Sequence, residues 1–246
     1  MTGLASAIYD SDLVLAWKAA CDLVANQKSV GYVLVVSFGN AWQGSNEQRQ
    51  ALDKAAREVK ADSPSSVASM LLPKSVRMSK QSAAEAIESG QIMMGRGRSR
   101  GLKYSGWSHT YFERLTGSWI DKNGDRESIS QNKLLKAIEK IVEWDKNYEA
   151  AFYIHTNLLT ESFKPLGSPC LQYVQLRLYG DKLLSIVGLY RAHDYVEKAL
   201  GNFIGLNDLG HFIADKTGRT FTGCDVVSLH PFVERKSQAN AYLAAV

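Results

Sequence analysis

The fold turns on residues 169–194. Pro169-Cys170 leads into Leu171-Gln-Tyr-Val-Gln-Leu-Arg-Leu-Tyr179, a turn at Gly180-Asp181 follows, and a second apolar run ends in Arg191-Ala-His-Asp194. Two runs of strand composition about a Gly-Asp turn predict an antiparallel hairpin. The hairpin brings the cysteine that heads one strand to the arginine that ends the next. An unperturbed cysteine has a pKa of about 8.5, and a neighbouring guanidinium lowers it, so more of the thiol is nucleophilic thiolate at neutral pH. Cys170 is thus the candidate nucleophile and Arg191 its activator.

Working outward, Ala150-Ala-Phe-Tyr-Ile-His-Thr156 reads as another strand, and residues 158–169 as a loop delivering Cys170. After the hairpin, residues 195–216 carry helical periodicity with Asp194 as N-cap. Phe221 to Leu229 gives a further strand, and residues 238–246 a small-residue tail. Upstream, Ser11-Asp12 caps a helix running to about Gln27, and Gly31 to Phe38 is a buried strand. Residues 46–59, 65–72 and 82–89 are helical candidates, and Asn132 to Asp145 is strongly amphipathic. Helices interspersed with strands and an antiparallel hairpin predict an α+β fold.

Residues 90–130 are poor in periodicity and rich in Gly, Ser, Arg and aromatics. Gly95-Arg-Gly-Arg-Ser-Arg-Gly101 reads as an irregular loop, either solvated or anion-binding through Arg96, Arg98 and Arg100. The length of 246 residues and 45% hydrophobic content suit one domain spanning residues 1–246. A net charge of +4 is too mild to imply a nucleic-acid polymer as partner. Cys21, Cys170 and Cys224 show no zinc-ligand spacing, so no metal is expected, and free thiols fit a reducing compartment. With no signal-peptide pattern and no apolar run of about 18 residues or more, the sequence predicts a soluble cytoplasmic protein with no membrane association.

From Cys170 onward the sequence resembles the thymidylate synthase and deoxycytidylate hydroxymethylase superfamily. The matching pattern is Pro169-Cys170 heading a strand, Leu189-Tyr-Arg191, Asp194, then Asn202, His211-Phe-Ile-Ala214 in register, and Ser228-Leu-His230-Pro-Phe232. It covers roughly residues 148–232. The resemblance implies a mixed β-sheet flanked by helices, and a homodimer with sheets packed back to back. It also implies a cysteine that adds to C6 of a pyrimidine nucleotide or nucleoside, so that C5 takes a methyl or hydroxymethyl group from 5,10-methylenetetrahydrofolate. Cys170 takes the nucleophile's place, and Arg191 that of its activator and of a phosphate ligand. Asp194 takes that of a backbone-anchored aspartate near the ring, Asn202 that of the base reader and His230 that of a sugar contact. Tyr111 is the candidate for the family's upstream active-site tyrosine, with Trp107 or Trp119 packing the cofactor. Asparagine rather than aspartate at 202 favours uracil over cytosine.

The chain departs from the family's pattern at several points. Ala150 and Ala151 stand where a pair of arginines reaches the partner subunit's phosphate, Ala192 where a serine contacts phosphate, and Phe232 where a tyrosine holds the 3′-hydroxyl. Fourteen residues follow Phe232, where the family has a longer extension over the folate. The family's catalytic glutamate has three candidates, Glu47, Glu58 and Glu85. These departures point to a specialised substrate, as in a modified-nucleoside or antibiotic pathway. They also leave two alternatives: the same cysteine addition without folate, or a non-catalytic binding protein that keeps the fold.

Overall fold

The computed structural model describes residues 5–26, 33–42, 44–100, 109–146, 149–158, 168–180 and 182–246. Trp107, Asp181 and most of the segment preceding Cys170 lie outside these. The described chain opens with β1 (Ala5–Asp10) and α1 (Leu13–Asn26). Asp12 caps α1 as predicted, its Oδ1 accepting from the Val14 and Leu15 amides at 2.7 and 3.1 Å. Next come β2 (Val33–Gly39), α2 (Asn46–Glu58), α3 (Pro64–Leu71), α4 (Lys74–Arg77) and α5 (Ala83–Ser99). Ser45, Ser63 and Ser82 cap α2, α3 and α5 through their side-chain oxygens.

After α6 (Tyr111–Thr116), a small ribbon of β3 (Ser118–Ile120) and β4 (Arg126–Ser128) leads to α7 (Lys133–Val142). Then follow β5 (Ala150–His155), β6 (Leu171–Tyr179), β7 (Leu183–Tyr190), the short β8 (His193–Asp194) and α8 (Ala199–Thr217). The chain ends with β9 (Thr220–Ser228), β10 (Pro231–Phe232) and α9 (Lys236–Ala245).

The main sheet has the order β1-β2-β9-β7-β6-β5. It is mixed: β1 with β2 and β7 with β9 are parallel, and the other neighbours are antiparallel. One face presents Phe38, Cys224, Ile186 and Leu176 in register, all buried. Helices α1 and α8 pack over this face, and α8 is itself buried along most of its length. The opposite face carries Ser37, Asp225, Val187, Gln175 and Tyr153 across the strands, all partly or fully exposed. The predicted α+β class and the β6–β7 hairpin are therefore present.

Some expectations are corrected. The arginine run is not a loop: α5 continues through Arg96 and Arg98. Gly95 allows close contact with the β3 ribbon, since a Cβ there would sit 1.6 Å from the Ile120 carbonyl oxygen. The small-residue tail is α9, anchored by buried Ala239 and by Tyr242, whose ring meets Trp17 edge-on at 4.9 Å. Strand β1 was not anticipated, and α8 starts at Ala199 rather than at Tyr195.

Candidate functional site

The hairpin closes where the sequence placed it. The Arg191 amide donates to the Cys170 carbonyl at 2.8 Å, and β6 carries a register irregularity between Leu171 and Tyr173. Such bulges re-aim neighbouring side chains. Cys170 is half-buried, and its thiol is pushed above its ordinary pKa by burial, which outweighs the lowering effects of Arg191 and Lys198. Arg191 thus acts in the expected direction without making a resting thiolate. Its Nη2 also donates to the Ser168 carbonyl at 3.2 Å.

Tyr111 meets the cysteine from the other side. Its hydroxyl oxygen accepts from the Leu171 amide at 3.1 Å, and burial raises its pKa well above the ordinary phenol range, so the phenol keeps its proton. Its position follows from a capping box: the Thr110 amide donates to Glu113 Oε2 at 2.7 Å and the Glu113 amide to Thr110 Oγ1 at 3.2 Å. Glu113 is fully buried and receives Arg98 through Nε and Nη2 at 2.6 and 2.7 Å. Arg98 also lies 4.3 Å over Trp119. Arg98 therefore places its guanidinium on Glu113 at the start of α6, and neither it nor Trp119 is among the residues lining the cavity described below.

The base-reader candidate Asn202 is 4% exposed and hydrogen-bonded to His193, with Nδ2 3.0 Å from Nε2. Burial lowers the His193 pKa to about 3, so the ring is neutral. With Nε2 accepting from the amide, Nδ1 carries the proton and donates to Ser228 Oγ at 2.9 Å. Tyr195 meets the same hydroxyl at 3.1 Å, and the imidazole stacks on Tyr190 at 4.1 Å and 7°. Sequence reasoning missed His193, whose type and spacing carry no motif. Asp194 Oδ1 accepts from the Val196 and Glu197 amides at 2.9 and 3.0 Å, so it anchors the turn before α8 rather than capping the helix. Burial raises its pKa against those two bonds.

Cys170, Tyr111, Asp194 and Asn202 all line one cavity of about 450 Å³. Val67 and Met70 from α3 form a further wall, brought close because residue 201 is glycine: a Cβ there would lie 2.5 Å from Val67 Cβ. Phe232 reaches the cavity through the β8–β10 pairing with Asp194. Neither Arg191 nor His230 is among the lining residues; His230 is half-buried and stacks on Phe232 at 5.6 Å. Glu47, Glu58, Glu85, Arg96, Arg98 and Arg100 are not among the residues that line the cavity. The carboxylates that do line it are Asp62, Asp194, Glu197 and Glu234.

The sequence matches no protein-family model, and no curated protein is significantly similar to it. Among the described residues, no helix is long and apolar enough to cross a membrane.

Proposed function

We propose that the chain is a divergent enzyme of the thymidylate synthase and deoxycytidylate hydroxymethylase type, acting at C5 of a pyrimidine. The observation that carries this reading is the convergence of Cys170, Tyr111, Asp194 and Asn202, drawn from four separate segments, on one cavity. Cys170 sulfur bonds to C6 as its proton passes to water, and the C5–C6 π electrons move into a C5–C4–O4 enolate. Arg191 stabilises the thiolate while it forms. Asn202 offers Oδ1 and one amide hydrogen to the ring edge. An electrophile adds at C5, the C5 hydrogen leaves as a proton, and the C6–S bond breaks to return the thiolate.

In the resembled family the electrophile is the one-carbon unit of methylenetetrahydrofolate, which adds methyl or hydroxymethyl. The size of the cavity among the described residues argues against that group. A cavity of about 450 Å³ suits a single ligand of drug size, for which sites span roughly 300–1,000 Å³. Trp119 packs elsewhere. The folate-free variant of the chemistry is therefore the second reading, in which the C6 adduct labilises a C5 substituent, which leaves as C5 takes a solvent proton, or drives hydrolysis of the ring system.

A homodimer through the open sheet face is part of the proposal, supported by the row of half-exposed residues from Ser37 to Gln175. The free cysteines support a reducing, cytoplasmic setting.

The test is tritium release from 5-tritiated uracil and cytosine nucleosides and monophosphates, with and without methylenetetrahydrofolate, against Cys170→Ala. Release that requires Cys170 supports the reading, and its folate dependence separates the two variants. Release that persists in Cys170→Ala, or fails with every compound, overturns it in favour of a binding protein.

A further inference from the structure

We propose that this cavity takes a pyrimidine nucleoside carrying no phosphate, and discriminates against its 5′-monophosphate. The inference rests on the reading of the cavity as a pyrimidine site. The observation behind it is the charge of the lining among the described residues: four carboxylates, Asp62, Asp194, Glu197 and Glu234, face one ammonium, Lys198, a formal balance of −3. Lys198 is itself paired with Asp62. Glu197 accepts from the Asp62 amide at 2.9 Å and from Gln238 Nε2 at 3.2 Å, which holds its negative charge at the rim. Glu234 is exposed and has no ion-pair or hydrogen-bond partner among the described residues.

Among the described residues, Lys198 is the one cation of the same lining, and the arginines stand outside it. Arg191 lies beside Cys170 and donates to the Ser168 carbonyl. Arg98 is held by Glu113, and Arg177 faces Asp225 at 3.8 Å. Ala192 lines the cavity with a methyl group, and Ala150 and Ala151 offer no charge from β5. A phosphate dianion brought into this lining meets an excess of carboxylate charge at short range, where the walls weaken solvent screening. A neutral nucleoside meets apolar walls in Val67, Met70 and Phe232, and a carboxamide for its base.

The test is calorimetric binding of uridine, deoxyuridine and their 5′-monophosphates to the full chain at low and high salt, beside the tritium assay. The expected result is a nucleoside bound about tenfold or more tighter than its monophosphate at low salt. That margin should narrow as salt rises, because screening shortens the range of the repulsion. Glu234→Lys should raise monophosphate affinity relative to nucleoside affinity by about tenfold at low salt, and an unchanged ratio overturns the inference. A monophosphate that binds as tightly as the nucleoside overturns the inference, and Cys170-dependent release from it leaves the functional reading standing. If neither compound binds, the inference is overturned, and tritium release from the cytosine compounds decides the functional reading.

Discussion

Asn202 Nδ2 lies 3.0 Å from Nε2 of His193, and the amide of the base-reader candidate is thereby oriented by a buried, neutral imidazole. A carboxamide can face a pyrimidine edge in two ways, and reversing it would set Oδ1 against Nε2. That arrangement requires His193 to move its proton to Nε2 and Ser228 to become the donor to Nδ1. The imidazole therefore favours one amide orientation over the other. His193→Ala is expected to bring the ratio of activity on uracil and cytosine compounds toward unity, by about tenfold for the loss of one hydrogen bond of about 1.4 kcal/mol. Comparing the two tritium-release rates checks this.

The same histidine makes stability depend on pH. Its folded pKa of about 3 lies below the unfolded value of 6.5, so the unfolded chain binds the extra proton. Stability is full above 6.5 and falls as the pH drops from 6.5 toward 3. At 1.36 kcal/mol per pKa unit, the loss from this group between pH 7 and pH 5 is about 2 kcal/mol. Urea unfolding at both pH values should show His193→Gln losing less than the wild type by about that amount.

Because burial keeps Cys170 a thiol, activity should rise with pH, close to tenfold per unit between about pH 6.5 and 8, as the thiolate fraction grows. Arg191→Gln removes a charge that lowers the pKa. Its pH–rate profile should shift to the alkaline side, with activity partly recovered at high pH; an unshifted profile would show that Arg191 does not act on the thiol.

Breaking a buried ion pair leaves one charge uncompensated, at a cost of several kcal/mol. Glu113→Gln should therefore destabilise the fold by about 3 kcal/mol and slow Cys170-dependent turnover as Tyr111 loosens. Gly201→Ala forces Val67 away from α8, and overpacking of this kind costs roughly 1–3 kcal/mol. Chemical denaturation of each variant measures both effects.

Much of the architecture was legible because it lay in local patterns. The Cys170–Arg191 hairpin, the apolar β9 run and the amphipathic α7 each announced themselves through period or turn chemistry. The α5 region misled because Gly95 and the arginines around it look like a loop, whereas glycine there answers a close approach to Ile120 from a distant segment. Cys170, Asp194 and Asn202 were found through order and spacing, and Tyr111 as the resemblance's upstream tyrosine. The Thr110–Glu113 capping box that positions Tyr111 was readable and was missed. Glu197, Glu234, Asp62 and His193 were not readable, because their roles arise from tertiary contacts between β8, β10, α3 and α8. The charge of the cavity is a sum over those contacts.

The most direct measurement is intact-protein mass spectrometry after incubation with a 5-nitropyrimidine nucleoside, followed by peptide mapping. The nitro group stabilises negative charge at C5, so a thiol that adds at C6 accumulates as an adduct. The account predicts one nucleoside mass added to the peptide containing Cys170, none on the buried Cys21 and Cys224, and none in Cys170→Ala. An unmodified Cys170, or label unaffected by its replacement, would contradict it.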